Sequence, residues 1–132
     1  MIYLDTSALV KLVRREPESD ALADWLDSQG SIPWVCSTLV EVELPRALRQ
    51  SDASLIADVP AMLARVSRYE IDPVVRAAAG ACPDPDLRSL DAIHLATAKG
   101  VFGDSLTAFV AYDDRLLAAA MDQGLAVVQP GR

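Results

Sequence analysis

The chain has 132 residues, 52% of them hydrophobic, with a formal net charge of −7 and two cysteines. That is enough chain to bury a core without disulfide or metal staples, too apolar for disorder, and too often interrupted by charge for any run to span a bilayer. The acidic balance argues against a broad nucleic-acid-binding surface, which normally needs a basic excess, unless divalent cations neutralise an acidic pocket or basic residues gather at one mouth.

The first residues, Met1-Ile2-Tyr3-Leu4-Asp5, lack the basic and long apolar segments of a secretory signal and read as a first strand, so the default address is the cytoplasm. Asp5, Thr6 and Ser7 supply capping oxygens for a helix through Val13. Glu18 to Gln29 sets Ala21, Leu22, Trp25 and Leu26 at helical spacing, with Gly30 as a stop. Trp34-Val35-Cys36 is a short strand. Ser37 and Thr38 then cap a helix reaching about Arg49, with Pro45 expected to kink it. A helix over Ser54 to Arg68, a strand at Tyr69 to Ile71 and a helix over Val74 to Ala81 follow. After the rigid Cys82-Pro83-Asp84-Pro85 loop, Asp86 is expected to cap Leu87 to Lys99. Ala108 to Tyr112 reads as a strand, Asp114 to Gln123 as a helix closed by Gly124, and Leu125 to Val128 as a last strand. Strands alternating with helices predict one domain over residues 1–132: a three-layer α/β/α fold with a short, mainly parallel sheet and right-handed crossovers.

In an open parallel sheet the functional crevice lies beyond the carboxyl ends of the strands, which singles out few of the nineteen acids. Asp5 and Asp113 end strands, and Glu43 and Asp91 sit early in helices opening toward the same edge. Glu41 and Glu43 lie about 200° apart around a helix, so one of them faces away. Thr38 to Glu41 has capping-box spacing, which leaves Glu43 as the inward acid. Asp91 shares a stripe with Leu87, Leu95 and Ala98, and a buried carboxylate there needs a cation, a hydrogen-bond network or a proton. Bland alternatives stay open: Asp5 and Asp113 as helix caps, Glu43 paired with Arg46 or Arg49, Asp91 paired with Arg88, and Thr6 and Ser7 as caps. The one histidine, His94, lies a turn beyond Asp91 and reads first as a hydrogen-bonded core residue. Lys11, Arg14 and Arg15 form one basic group, and Arg46 and Arg49 another. Cys36 and Cys82 have neither CxxC spacing nor a cluster of histidine partners, and read as free core thiols.

Asp5-Thr6-Ser7, Ser37 with Glu43-Leu44 six residues on, the run from Leu87 to Ala98 containing Leu90-Asp91-Ala92-Ile93-His94-Leu95-Ala96, and Tyr112-Asp113 with Arg115-Leu116 together resemble the PIN-domain toxins of VapBC toxin–antitoxin pairs. The likeness runs from the first residues to Gly124-Leu125. It implies an acidic quartet, Asp5, Glu43, Asp91 and Asp113, in a metal-dependent endoribonuclease binding one or two Mg²⁺ or Mn²⁺ ions. Asp5, Asp91 and Asp113 are the implied metal ligands and Glu43 the group that orients or deprotonates the attacking water. It further implies an RNA substrate, a homodimer and a VapB-like antitoxin. Ala111 stands where relatives often carry Thr or Ser, which keeps Asp114 as an alternative to Asp113.

Hard, oxygen-preferring cations suit such an all-carboxylate set, and they suit phosphodiester hydrolysis. The apolar side chains Leu22, Trp25, Leu26, Leu55, Ile56, Leu63 and Val66 exceed what a small two-sided sheet needs, which leaves some of them for an exposed groove that would hold an antitoxin helix, with ordinary core as the alternative for each. A receiver domain would need a late-strand lysine, and the two lysines, Lys11 and Lys99, are elsewhere. An aspartyl-phosphate phosphatase begins Asp-x-Asp, where this chain has Ser7. The stronger rival is a non-catalytic RNA- or protein-binding PIN-like module.

Overall fold

A computed structural model describes residues 1–132. The chain runs β1 (Ile2–Leu4), α1 (Thr6–Val13), α2 (Ser19–Ser28), β2 (Trp34–Ser37), α3 (Val40–Ser51), a 3₁₀ segment (Ala53–Asp58), α4 (Val59–Ala64) and β3 (Ser67–Tyr69). It continues through α5 (Pro73–Gly80), α6 (Ser89–Thr97), a π-type turn (Ala98–Phe102), a 3₁₀ turn (Gly103–Ser105), β4 (Ala108–Val110), α7 (Asp114–Asp122) and β5 (Val127–Val128).

Every strand pairing is parallel, in the order β3-β2-β1-β4-β5, with Tyr3 opposite Val35 on one side and Phe109 on the other. Parallel neighbours require crossovers, and right-handed ones put α1 to α4 on one face and α5 to α7 on the other. The helix contacts agree: α1 packs on α2, α3 and α4, α5 on α6, and α6 on α7. The chain changes direction across the sheet between β1 and β4, the switch point where open α/β sheets place their ligands. Central position explains why Ile2, Tyr3 and Leu4 are fully buried, while all three residues of the edge strand β3 are exposed. No helix is long and apolar enough to cross a membrane.

Several boundaries differ from the sequence expectation, each for a local reason. The helix expected over Ser54 to Arg68 breaks in two: Asp52 caps a 3₁₀ segment through the Ser54 amide, Pro60 suits the start of α4, and the chain leaves helix after Ala64. Ser67–Tyr69 then pairs with Val35–Ser37, so β3 lies two residues before the expected Tyr69 to Ile71 strand. Asp86 does not cap α6; Asp84 accepts from the Asp86 amide in a turn, and the helix begins at Ser89. The capping box of Thr38 and Glu41 does not form either. Leu39 precedes α3, and Glu41 pairs with Arg68 at 3.6 Å. α3 continues through Pro45, which lacks one backbone donor but does not end the helix. Leu22, Leu26 and Val66 are buried in the core and line no groove, while Trp25, Leu55, Ile56 and Leu63 pack against the core and stay partly exposed. Cys36 is buried and Cys82 half-buried, both as free thiols.

Candidate active site

Asp5 leaves β1 in an extended conformation and caps α1. Its Oδ2 accepts from the Ser7 amide at 3.0 Å and the Ser7 hydroxyl at 2.6 Å. Ser7 Oγ in turn accepts from the Tyr112 amide at 2.9 Å, which ties the end of β1 to the loop after β4. Asp113, in that loop, caps α7 in the same way, its Oδ1 accepting from the Arg115 and Leu116 amides at 2.9 and 3.1 Å. Glu43 projects from the first turn of α3, and its Oε1 takes both the Thr6 hydroxyl at 2.8 Å and His94 Nε2 at 2.5 Å. Asp91, in the first turn of α6, meets Arg88 Nε through Oδ2 at 3.1 Å. The same guanidinium reaches Asp113 Oδ2 at 3.2 Å.

A common pattern runs through the four acids. Each commits one oxygen to a protein donor, and the other is free of neutral donors: Asp5 Oδ1, Glu43 Oε2, Asp91 Oδ1, and Asp113 Oδ2, which meets only Arg88. The side chains grade from 7% exposed at Asp5 through 15% at Asp91 and 24% at Glu43 to 31% at Asp113. The bland readings and the chemical one are therefore compatible: Asp5 and Asp113 cap with one oxygen and still present the other.

His94 is fully inside the core. Its Nδ1 meets Tyr3 Oη at 2.7 Å, Tyr3 Oη also accepts from the Ser37 amide at 3.1 Å, and Nε2 stands 3.6 Å from Asp5 Oδ1 besides its bond to Glu43. Burial disfavours the imidazolium, but the Asp5 charge, the neighbouring Cys36 and the bond to Glu43 outweigh it and raise the His94 pKa well above its ordinary value. Burial alone would likewise raise the Glu43 carboxyl; the bond and charge of His94, with Thr6 behind them, hold it below the usual carboxylate range. Asp91 moves the other way, pushed up by burial and further by Asp5 and Asp113 against the pull of Arg88.

The structure links all four expected acids, through Ser7, His94 and Arg88. It also brings in Thr6 and His94, whose participation the sequence left open, and Arg88, which it paired only with Asp91. Asp114 starts α7 and has no bond to Arg88 or the other acids. The basic group Lys11, Arg14 and Arg15 does not serve the site, since all three pair with Glu16, Glu18 or Asp20. Glu43 pairs with neither Arg46 nor Arg49. A hollow of about 360 Å³ between α5 and α6 is lined by residues such as Arg76, Cys82, Leu87 and Ile93, and by none of the four acids.

Oxygen donors without a thiolate are the set a hard divalent cation takes, and the outward oxygens of the four carboxylates, three of them without a hydrogen bond and that of Asp113 held only by Arg88, fit it in kind and charge. No three ligating groups already stand close enough to enclose an ion. Arg88 supplies positive charge at the place where two of them meet.

Residues 2–122 match the family model described as the PIN domain. Ribonuclease VapC35 of Mycobacterium tuberculosis is 57% identical over 133 residues, covering 100% of this chain and 98% of that protein. Ribonuclease VapC46 of the same organism is 43% identical over 129 residues, covering 98% and 97%. Among solved structures, VapBC2 from Rickettsia felis bound to a DNA fragment from their promoter superposes with a TM-score of 0.74 over 98% of this chain and 99% of that one; at 15% identity it speaks for the fold. With a family match across nearly its whole length and full-length identity far above chance, this chain belongs to the PIN-domain family, among the VapC proteins.

Proposed function

We propose that this chain is a metal-dependent endoribonuclease, the toxin of a toxin–antitoxin pair, with residues 1–132 working as one domain. The observation that carries the chemistry is the division of labour within the carboxylates: one oxygen fixes the side chain, and the other is left for a ligand at Asp5, Glu43 and Asp91 and is held only by the exposed Arg88 at Asp113. Full-length relatives named ribonuclease support the substrate class, RNA.

Asp5, Asp91 and Asp113 would hold Mg²⁺ or Mn²⁺. Such an ion, when bound, polarises the phosphate and lowers the pKa of water. The remaining work falls to the chain. Thr6 and His94 both donate to Glu43 Oε1, so the carboxylate stays ionised and fixed, with Oε2 free to accept from a water. A carboxyl held below its usual range is a weak base, so Glu43 acts mainly by orienting that water toward phosphorus. The Tyr3 hydroxyl and the Ser37 amide hold the imidazole in place from behind.

The VapC kinship supports a VapB-like antitoxin as partner and the cytoplasm as the place of action. The face built by α5 to α7 carries Val74, Leu90 and Met121, each about half exposed or more, and these support a homodimer through that face.

The test is cleavage of total cellular RNA by the purified protein with Mg²⁺, with Mn²⁺ and with EDTA, beside an Asp5→Asn variant prepared identically. Fragments that require the metal and vanish in the variant are expected. Intact RNA in every lane, with the protein still binding RNA or a partner, would make it a non-catalytic binding module instead.

A further inference from the structure

Arg88 precedes α6 with an extended backbone, and its side chain is 70% exposed. Its guanidinium nevertheless holds two site acids at once, Nε on Asp91 Oδ2 at 3.1 Å and Nη2 on Asp113 Oδ2 at 3.2 Å. Asp113 has no other oxygen to offer, because Oδ1 is fixed by the amides of Arg115 and Leu116. Any cation that uses Asp113 must take Oδ2 from Arg88. A divalent ion on that oxygen repels the guanidinium beside it and, with twice its charge, outcompetes it there.

We infer that Arg88 is displaced by the metal and, once freed, binds a phosphate of the RNA substrate. The inference rests on the nuclease reading above. Three observations carry it. The side chain is exposed enough to swing away with little loss of packing. The planar fork that fits two carboxylate oxygens fits phosphate oxygens equally well. And the bases on the α1 side, Lys11, Arg14 and Arg15, are already paired with their own acids in a chain of net charge −7, so phosphate contacts at the site have to come from other residues. Metal entry and the appearance of a phosphate-binding group thus become one event. Without metal the arginine neutralises the acids; with metal it faces the substrate.

Calorimetry with Mn²⁺ alone, on the wild type, Arg88→Gln, Arg88→Lys and Asp91→Asn, measures the first half. Fluorescence anisotropy in Mn²⁺ with a single-stranded 2′-O-methyl oligonucleotide, checked afterwards for intactness, measures the second. Arg88→Gln is expected to bind Mn²⁺ about two- to tenfold tighter, the range set by removing exposed ion pairs, and the oligonucleotide several-fold weaker. Arg88→Lys, which grips one acid at a time, should fall between, and it stands in if the glutamine variant does not fold. Opposite signs for the two ligands are the signature. A structural staple between α6 and α7 would weaken both or neither. Mn²⁺ binding no tighter than wild type, or tighter binding with unchanged oligonucleotide affinity, overturns the inference and leaves the nuclease reading in place. A wild type that binds no Mn²⁺, indistinguishable from Asp91→Asn, overturns that reading too.

Discussion

At the last turn of α1 the Lys11 ammonium, 6% exposed, lies between Glu16 at 3.2 Å and Glu18 at 2.8 Å, over the Tyr112 ring, and Arg132 closes on Glu18 from the other side at 2.8 Å. At the first turn of the same helix Asp5 gives one oxygen to Ser7, while its other oxygen faces His94 at 3.6 Å in a neighbourhood of three more acids. One end of the helix is electrostatically satisfied by the chain itself. The other is left short of positive charge, with only Arg88 and His94 in contact. The difference teaches two uses of charge: paired charges fix the fold at one end, and the other keeps an unbalanced negative set, the pattern on which the proposed function rests.

The largest expected effect is a crossing of two variants. Asp91→Asn should lower RNA cleavage by about 100- to 1,000-fold, the scale of losing one preorganised electrostatic group, while the melting temperature holds or rises because a half-buried charge among like charges is gone. Lys11→Met should do the reverse, lowering the melting temperature by several degrees because Glu16 and Glu18 lose their shared ammonium and Glu18 keeps only Arg132, with cleavage per folded molecule kept. Parallel losses of stability and activity in both variants would erase the contrast between the two ends.

Next in size is the acid limb of stability. Glu18 is held down from 4.5 to about 2, first by the Lys11 hydrogen bond and then by that of Arg132. A depressed carboxyl pKa means that the unfolded chain takes up the proton first. Its stabilisation is therefore complete above about pH 4.5 and is lost as pH falls toward 2. Glu18→Gln should be less stable at neutral pH and show a shallower decline between those values in circular-dichroism melts; an unchanged slope would mean that this pair does not govern the acid limb.

The smallest effect separates the two jobs of Asp5. Asparagine caps a helix about as well as aspartate and alanine does not, so both variants lose the charge facing His94 and Asp5→Ala should be less stable than Asp5→Asn by about 1 kcal/mol, with cleavage absent in both. Equal denaturant midpoints for the two would show that the Ser7 contact contributes nothing to folding.

What the sequence disclosed follows how local the physics is. The β1–α1 unit was legible because Asp5-Thr6-Ser7 carries its own cap, and α2 because Gly30 adopts the positive φ that ends it. The boundary around Val66 was not, since Ser67–Tyr69 becomes a strand only by pairing with β2, about thirty residues away. Asp5, Asp91 and Asp113 could be placed from strand ends and helix faces, whereas Glu43 rested on family resemblance once the capping box meant to set Glu41 aside failed to form. Their division into a held oxygen and a free one could not, because it depends on donors such as Ser7, Thr6 and His94 meeting across elements. The basic group near Lys11 suggested a mouth for nucleic acid. The acids Glu16, Glu18 and Asp20 interleaved just beyond it were the signal that those charges are cancelled within the chain.

The caps at Asp5 and Asp113 also bear on how this protein can lose its activity over generations. Both positions ask for a capping oxygen to fold and, on the proposed function, for a negative charge to act, and asparagine supplies the first without the second. A single nucleotide change from an aspartate codon can thus yield a chain that folds, persists and still presents every surface a partner recognises, yet does no harm. For a protein whose activity endangers its own host, inactivation is one step away, and selection for folding alone does not oppose that step.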